Sequence, residues 1–128
     1  MFLLDTCAFL WLASDQSRIA PGVLAQIRDP NVTVYLSAIS ALEIGTKHYK
    51  NKLVLPLEPE AWISLALANH RVTPLAMTWE LAVRSSALPR LHADPADRII
   101  VATALHHNLV IVTPDPLIAA YPGVRVLW

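Results

Sequence analysis

Charge is scarce in this chain. Charged side chains make up 16% of the residues, and ten basic groups balance ten acidic ones, so the formal net charge is zero. That balance gives no reason to expect non-specific nucleic-acid binding; any contact with RNA or DNA has to come from a local patch. Cysteine is nearly absent. Cys7 stands alone, which excludes a disulfide framework and fits a cytoplasmic setting. No uninterrupted apolar run approaches the ~18 residues of a membrane helix, so no membrane association is expected. The apolar start MFLLDTCAFLWLAS lacks the basic opening of a secretory signal and is broken by Asp5. Repeats and low-complexity segments are missing as well.

What remains is an apolar chain of 128 residues, 55% hydrophobic, with a mean hydropathy of +0.44. The length predicts one domain over 1–128. A chain of this size buries roughly two-thirds of its unfolded surface. The surplus of apolar side chains predicts a dimer interface, a protein partner, or both.

Short β-like runs alternate with helical ones. Phe2-Leu3-Leu4, Val32 to Leu36, Arg71 to Leu75, Leu109 to Thr113 and Val124 to Leu127 read as strands. Helices are predicted over Thr6–Leu12, Pro21–Arg28, the block SAISALEIGTKHYK capped by Ser37 or Ser40, Glu60–His70, Thr78–Leu88 and Asp94–His107. Leu53-Val54-Leu55 is a brief apolar run fenced by Pro56 and Pro59. The ten prolines punctuate loops and helix starts, never a helix interior. Strands separated by helices imply βαβ units and a mainly parallel sheet. Ligands of such sheets bind outside the carboxyl ends of the strands.

Acids stand at those ends. Asp5 follows the first strand, and Asp115 lies just past the strand ending at Thr113. Glu43 lies about two turns into the helix after the second strand, and Asp97 falls in the first turn of the Asp94–His107 helix. Each has a plain structural reading. Asp94-Pro95 is an N-cap and first-turn pair, and Asp97 at the third helical position favours the helix dipole. Glu43 and Lys47 have the spacing of a helical salt bridge. Asp115 between two prolines suits a turn or cap, and Asp5 can cap the helix that follows. Taken together they point to a cation. Two carboxylates ~4 Å apart repel by about 4 kcal/mol at an effective dielectric near 20, so four gathered together need protons or an ion. An all-carboxylate set suits a hard ion, Mg²⁺ or Mn²⁺.

The LLDT start, the SAISALEIGTKHYKNKL block, the DPADRIIVATAL helix, the LVIVTPDPL segment and the closing VRVLW resemble, in order and spacing, the PIN-domain family, and within it the VapC-type toxins of toxin–antitoxin pairs. The resemblance implies an α/β fold: a three-layer α/β/α sandwich with a mainly parallel central sheet. It implies a metal-dependent ribonuclease whose catalytic and metal-binding acids are Asp5, Glu43, Asp97 and Asp115. Asp94 is then a cap or a neighbour of the metal ligands, and Thr6 and Thr113 fall where the family has small hydroxyl residues near the metal. The implied partners are an RNA substrate, tRNA or rRNA, a VapB-type antitoxin and a second copy of the chain.

Lys47, with His48, Lys50 and Lys52, forms the densest basic stretch, and Lys47 is the candidate phosphate contact; a solvated helix end is the alternative. Arg98 is expected to pair with an acid rather than touch RNA, and His92 either lines the mouth of the site or, as is commoner for a loop histidine, is idle. The apolar helix after Asp5, with Trp62 and Trp79, is a candidate partner surface. Two other functions remain in view. Phosphoaspartate chemistry also places an aspartate after the first strand, but it requires a second acid two residues on, where this chain has Cys7. A non-catalytic PIN-like protein-binding module would keep the fold without the reaction.

Overall fold

A computed structural model describes residues 1–128. The first strand, β1 (Phe2–Leu4), runs into α1 (Thr6–Ser14), with the Asp5 carboxylate capping the helix. A short 3-10 turn (Gln16–Arg18) leads to α2 (Pro21–Arg28), which starts on its proline. Next come β2 (Val34–Ser37) and α3 (Ala38–Tyr49), with Ser37 Oγ accepting from the Ile39 amide. The order continues with α4 (Pro59–Asn69), β3 (Val72–Leu75), α5 (Trp79–Ala87) and α6 (Pro95–His107). It closes with β4 (Val110–Val112), α7 (Pro116–Ala119) and β5 (Arg125–Leu127). Thr78 caps α5 and Asp94 caps α6 through their side chains. Asn108 ends α6 in the left-handed conformation that asparagine tolerates, at φ 55°.

All five strands are parallel, in the order β3-β2-β1-β4-β5. β1 is central: Leu3 pairs with Tyr35 on one side and Ile111 on the other. Side chains alternate across the sheet. Leu4, Val34, Leu36 and Val112 join Ala8, Phe9, Leu12, Val23, Trp62 and Ala66 in one core layer. Leu3 and Ile111 join Ile100, Val101, Ala104, Ile118 and Tyr121 in the other. The result is the expected three-layer α/β/α sandwich. α1 turns Ala8, Phe9 and Leu12 into the core, while Leu10, Trp11 and Ala13 are partly buried against it. Phe9 meets the Trp62 ring edge-on at 5.9 Å. Trp62 is therefore buried and does not contribute to an outer surface, whereas Trp79 is 75% exposed.

The chain builds outward from β1 to β3 on one side and returns to build β4 and β5 on the other. The switch of direction falls between β1 and β4, and the crevice at such a point opens at the carboxyl ends of the strands. Asp5 and Thr113 are the first residues beyond those two ends.

Candidate active site

Asp5 is 4% exposed, and both its oxygens are engaged. Oδ1 accepts the Ala8 amide at 2.7 Å and Oδ2 accepts the Thr113 hydroxyl at 2.5 Å. Thr113 Oγ1 in turn accepts the Asp115 amide at 3.0 Å. The buried Thr113 thus locks the two acids together across the switch point. Asp115 caps α7, its Oδ1 accepting from the Leu117 amide at 2.9 Å, and its Oδ2 faces the crevice.

Asp97 enters from the first turn of α6. Its cap, Asp94, holds the Ala96 amide at 2.8 Å through Oδ1. His92 sits across Asp97 and Asp115: its Nε2 lies 3.0 Å from Asp97 Oδ2 and 2.8 Å from Asp115 Oδ2. These three ligand-type atoms lie within 4.8 Å of one another, a spacing that can hold a metal ion. Glu43 reaches toward the same crevice from α3. Its Oε2 pairs with Lys47 Nζ at 3.4 Å, while its Oε1 is buried with no hydrogen-bond partner. A buried carboxylate oxygen without a partner is costly unless something positive completes it.

The electrostatics lead the same way. Burial pushes the Asp5 carboxyl above the usual carboxylate range; Asp115 and Glu43 add to this, and the Thr113 and Ala8 hydrogen bonds oppose it. Burial, helped by Asp94, Glu43 and Asp5 and opposed by His92, raises Asp97 to about 7. Acids from four separate segments therefore repel one another across one crevice. Their donor set is all oxygen, with a buried unpartnered Glu43 Oε1, and it fits a hard divalent cation.

The structure places the remaining candidates as follows. The Thr6 hydroxyl donates to Ser40 Oγ at 2.9 Å, tying α1 to α3 rather than touching an acid. Asp94 caps α6, and its charge helps to raise the Asp97 carboxyl. Lys47 lines a groove with Thr46, Lys50, Lys52, Asp94 and Pro95 beside Glu43. Arg98 corrects the expectation of an acid partner. Its Nη1 donates to the carbonyls of Pro89 and His92, and its Nη2 to those of Ser85 and Leu88. It binds the carboxyl end of α5 and the loop after it. Of the two readings of His92, the structure favours the one at the site mouth over the idle one. Nothing in HADPAD marks it; its partner Asp115 is 23 residues away, and only the packing of α6 against β4 and α7 joins them.

Three comparisons place the chain among known proteins. The PIN domain family profile matches residues 2–124. Ribonuclease VapC22 of Mycobacterium tuberculosis is 30% identical over 114 residues, which span 88% of this chain and 85% of that protein. Among solved structures, VapBC2 from Rickettsia felis bound to a promoter DNA fragment superposes with a TM-score of 0.73 at 15% identity, covering 98% of this chain and 96% of the other. DNA-bound VapBC from Salmonella typhimurium superposes with a TM-score of 0.70 at 20% identity, again over 98% and 96%. Matched end to end in sequence profile and in fold, with its acids gathered at the switch point of the sheet, the chain belongs to the PIN-domain family.

Proposed function

We propose that this protein is a divalent-cation-dependent endoribonuclease that acts in the cytoplasm as the toxin of a VapBC-type pair, cleaving tRNA or rRNA and so inhibiting translation. The observation that carries this reading is the electrostatic coupling of Asp5, Glu43, Asp97 and Asp115 in one crevice, with Glu43 Oε1 buried and unpartnered. The similarity to a protein named as a ribonuclease supports the reaction class. The similarity to VapBC complexes supports a VapB-type antitoxin as partner.

Asp5, Glu43, Asp97 and Asp115 would hold Mg²⁺, or Mn²⁺. A bound ion of this kind supplies Lewis acidity toward a phosphodiester and a water of lowered pKa. The protein's own part is orientation. Thr113 and the Ala8 amide fix Asp5. The α7 amide fixes Asp115. Asp97, raised to about 7, would have to be deprotonated to hold a cation. Lys47, Lys50 and Lys52 offer phosphate-binding charge along the groove beside Glu43. Trp79 and Val83, one turn apart on α5 and 75% and 60% exposed, give an apolar surface for a second copy or for the antitoxin.

The test is incubation with total cellular RNA, with and without Mg²⁺, followed by mapping of the cut ends. Cleavage that needs the ion and is lost in Asp5→Asn supports the proposal. No ion-dependent cleavage, and no difference in Asp5→Asn, favours a non-catalytic binding module.

A further inference from the structure

The crevice holds one side chain that the acids alone do not explain. His92 Nε2 stands between Asp97 Oδ2 and Asp115 Oδ2, at 3.0 Å and 2.8 Å. Proximity alone would make it a third ligand of the same ion. The other ring nitrogen decides otherwise. The Asp94 backbone amide donates to His92 Nδ1 at 3.1 Å. A backbone amide offers only a hydrogen, so Nδ1 presents its lone pair and the ring proton lies on Nε2. For Nε2 to bind a metal, that proton would have to move to Nδ1. There it would meet the Asp94 N–H head-on.

The ring is not free to escape this by turning. The His92 amide donates to the Tyr121 hydroxyl at 3.0 Å, and Tyr121 is 2% exposed. Arg98 Nη1 reaches the His92 carbonyl at 3.4 Å while the same guanidinium holds the carbonyls of Ser85, Leu88 and Pro89. Three groups from α6 and the segment after α7 thus anchor a single loop residue, fixing both its backbone and its ring.

We propose that His92 is a positioning residue: it presents a hydrogen rather than a lone pair to Asp97 and Asp115, and holds these two carboxylates in place for the cation without ligating it. The inference rests on the function proposed above, but only through ion binding. A ring oriented in this way raises affinity for any ion the carboxylates accept and confers no preference for nitrogen-seeking ions.

Two substitutions separate the roles of the ring nitrogens. His92→Gln places an amide N–H near the position of Nε2. His92→Asn keeps an acceptor for the Asp94 amide but is too short to reach the acids. Titration calorimetry of the full chain with Mn²⁺ and with Mg²⁺ reads the effect, and thermal melts confirm folding. His92→Asn is expected to weaken both ions by the same factor, roughly ten- to a hundredfold. His92→Gln is expected to recover most of that loss. Electron spin echo spectra of the Mn²⁺-loaded wild type should show no directly coordinated nitrogen. A coordinated nitrogen that disappears in His92→Asn, or a loss confined to Mn²⁺, makes His92 a ligand and overturns the proposal. So does a His92→Asn variant that binds both ions like wild type. Wild type that binds neither ion overturns the proposed function and this assignment together. Wild type that binds ions but leaves RNA intact counts against the nuclease reading alone.

Discussion

Leu4 and Asp5 are neighbours in the chain and nearly equal in depth, at 0% and 4% exposure, yet burial acts on them in opposite directions. Leu4 leaves water to join Phe9, Val34, Leu36 and Val112, which stabilises the fold by about 2 kcal/mol. Asp5 leaves water to face Asp115 and Glu43, and the same desolvation pushes its carboxyl toward the protonated form. One peptide bond separates the region that holds the sandwich together from the region that strains it. The carboxyl rim of the sheet is tolerable because Thr113, the helix amides and His92 donate hydrogen bonds into it. A cation would complete what they leave unfinished.

The sharpest way to break this contrast is Asp5→Asn. It keeps the shape and removes a charge from the rim, so ion-dependent RNA cleavage should fall by at least about 10³-fold, some 4 kcal/mol of transition-state stabilisation. The ion-free protein loses a repulsion but also one of the two acceptors that Asp5 offers to Ala8 and Thr113, so its melting temperature should change little. A variant that is inactive and also far less stable would mean that Asp5 is chiefly structural. The opposite test lies in the core: Phe9→Ala should cost about 3–5 kcal/mol in urea unfolding, while any protein that remains folded binds the ion as before.

The pH profile sharpens the comparison further. Below about pH 4 Asp97 carries a proton whether the chain is folded or not. Between that point and about 7 the unfolded chain releases the proton and the native state keeps it. Stability of the chelator-treated protein should therefore fall as the pH rises across this window and level off above it, by well under the ~4 kcal/mol of a fully buried carboxyl, because solvent screens the partly exposed Asp97. Divalent-ion affinity should rise over the same window. Urea midpoints at intervals from pH 4 to 8 test this, and a flat curve would show that the rim is not strained.

Asp94→Ala comes next in size. Loss of the α6 cap should cost about 1 kcal/mol. Loss of its charge should bring the Asp97 transition down in pH, read by following that carboxyl with NMR. Smallest is Lys47→Ala. Its pair with Glu43 is half-exposed and contributes at most about 1 kcal/mol to stability. RNA binding, in contrast, should weaken at low salt, with the slope of log affinity against log salt reduced by about one.

The strands, the parallel sheet and the caps at Ser37 and Asp94 were legible in the sequence because they follow from alternation and from local hydrogen-bond chemistry. Asp5, Asp97 and Asp115 were legible as residues that follow strands or open helices, whereas Glu43, inside α3, joined them only through the family resemblance. α7 was not foreseen: four residues carry no periodicity, and Asp115-Pro116 reads equally well as a turn. Leu53 and Leu55 pack against the core while Val54 is 93% exposed, so the short run between prolines alternates like a strand without pairing as one. The partners of His92 and Arg98 were not legible, for a common reason. They are backbone carbonyls, a tyrosine hydroxyl and carboxylates, several of them brought close only by tertiary packing, and no spacing rule encodes them.

The hydrogen bond from Thr113 to Asp5 spans 108 residues. β1 is made first but can acquire both its neighbours only after β4 has been synthesised, since β4 is its second partner in the sheet. A nascent chain whose β4 has not yet been made therefore carries Asp5 without Thr113 and Asp115, and so without the crevice that those residues complete.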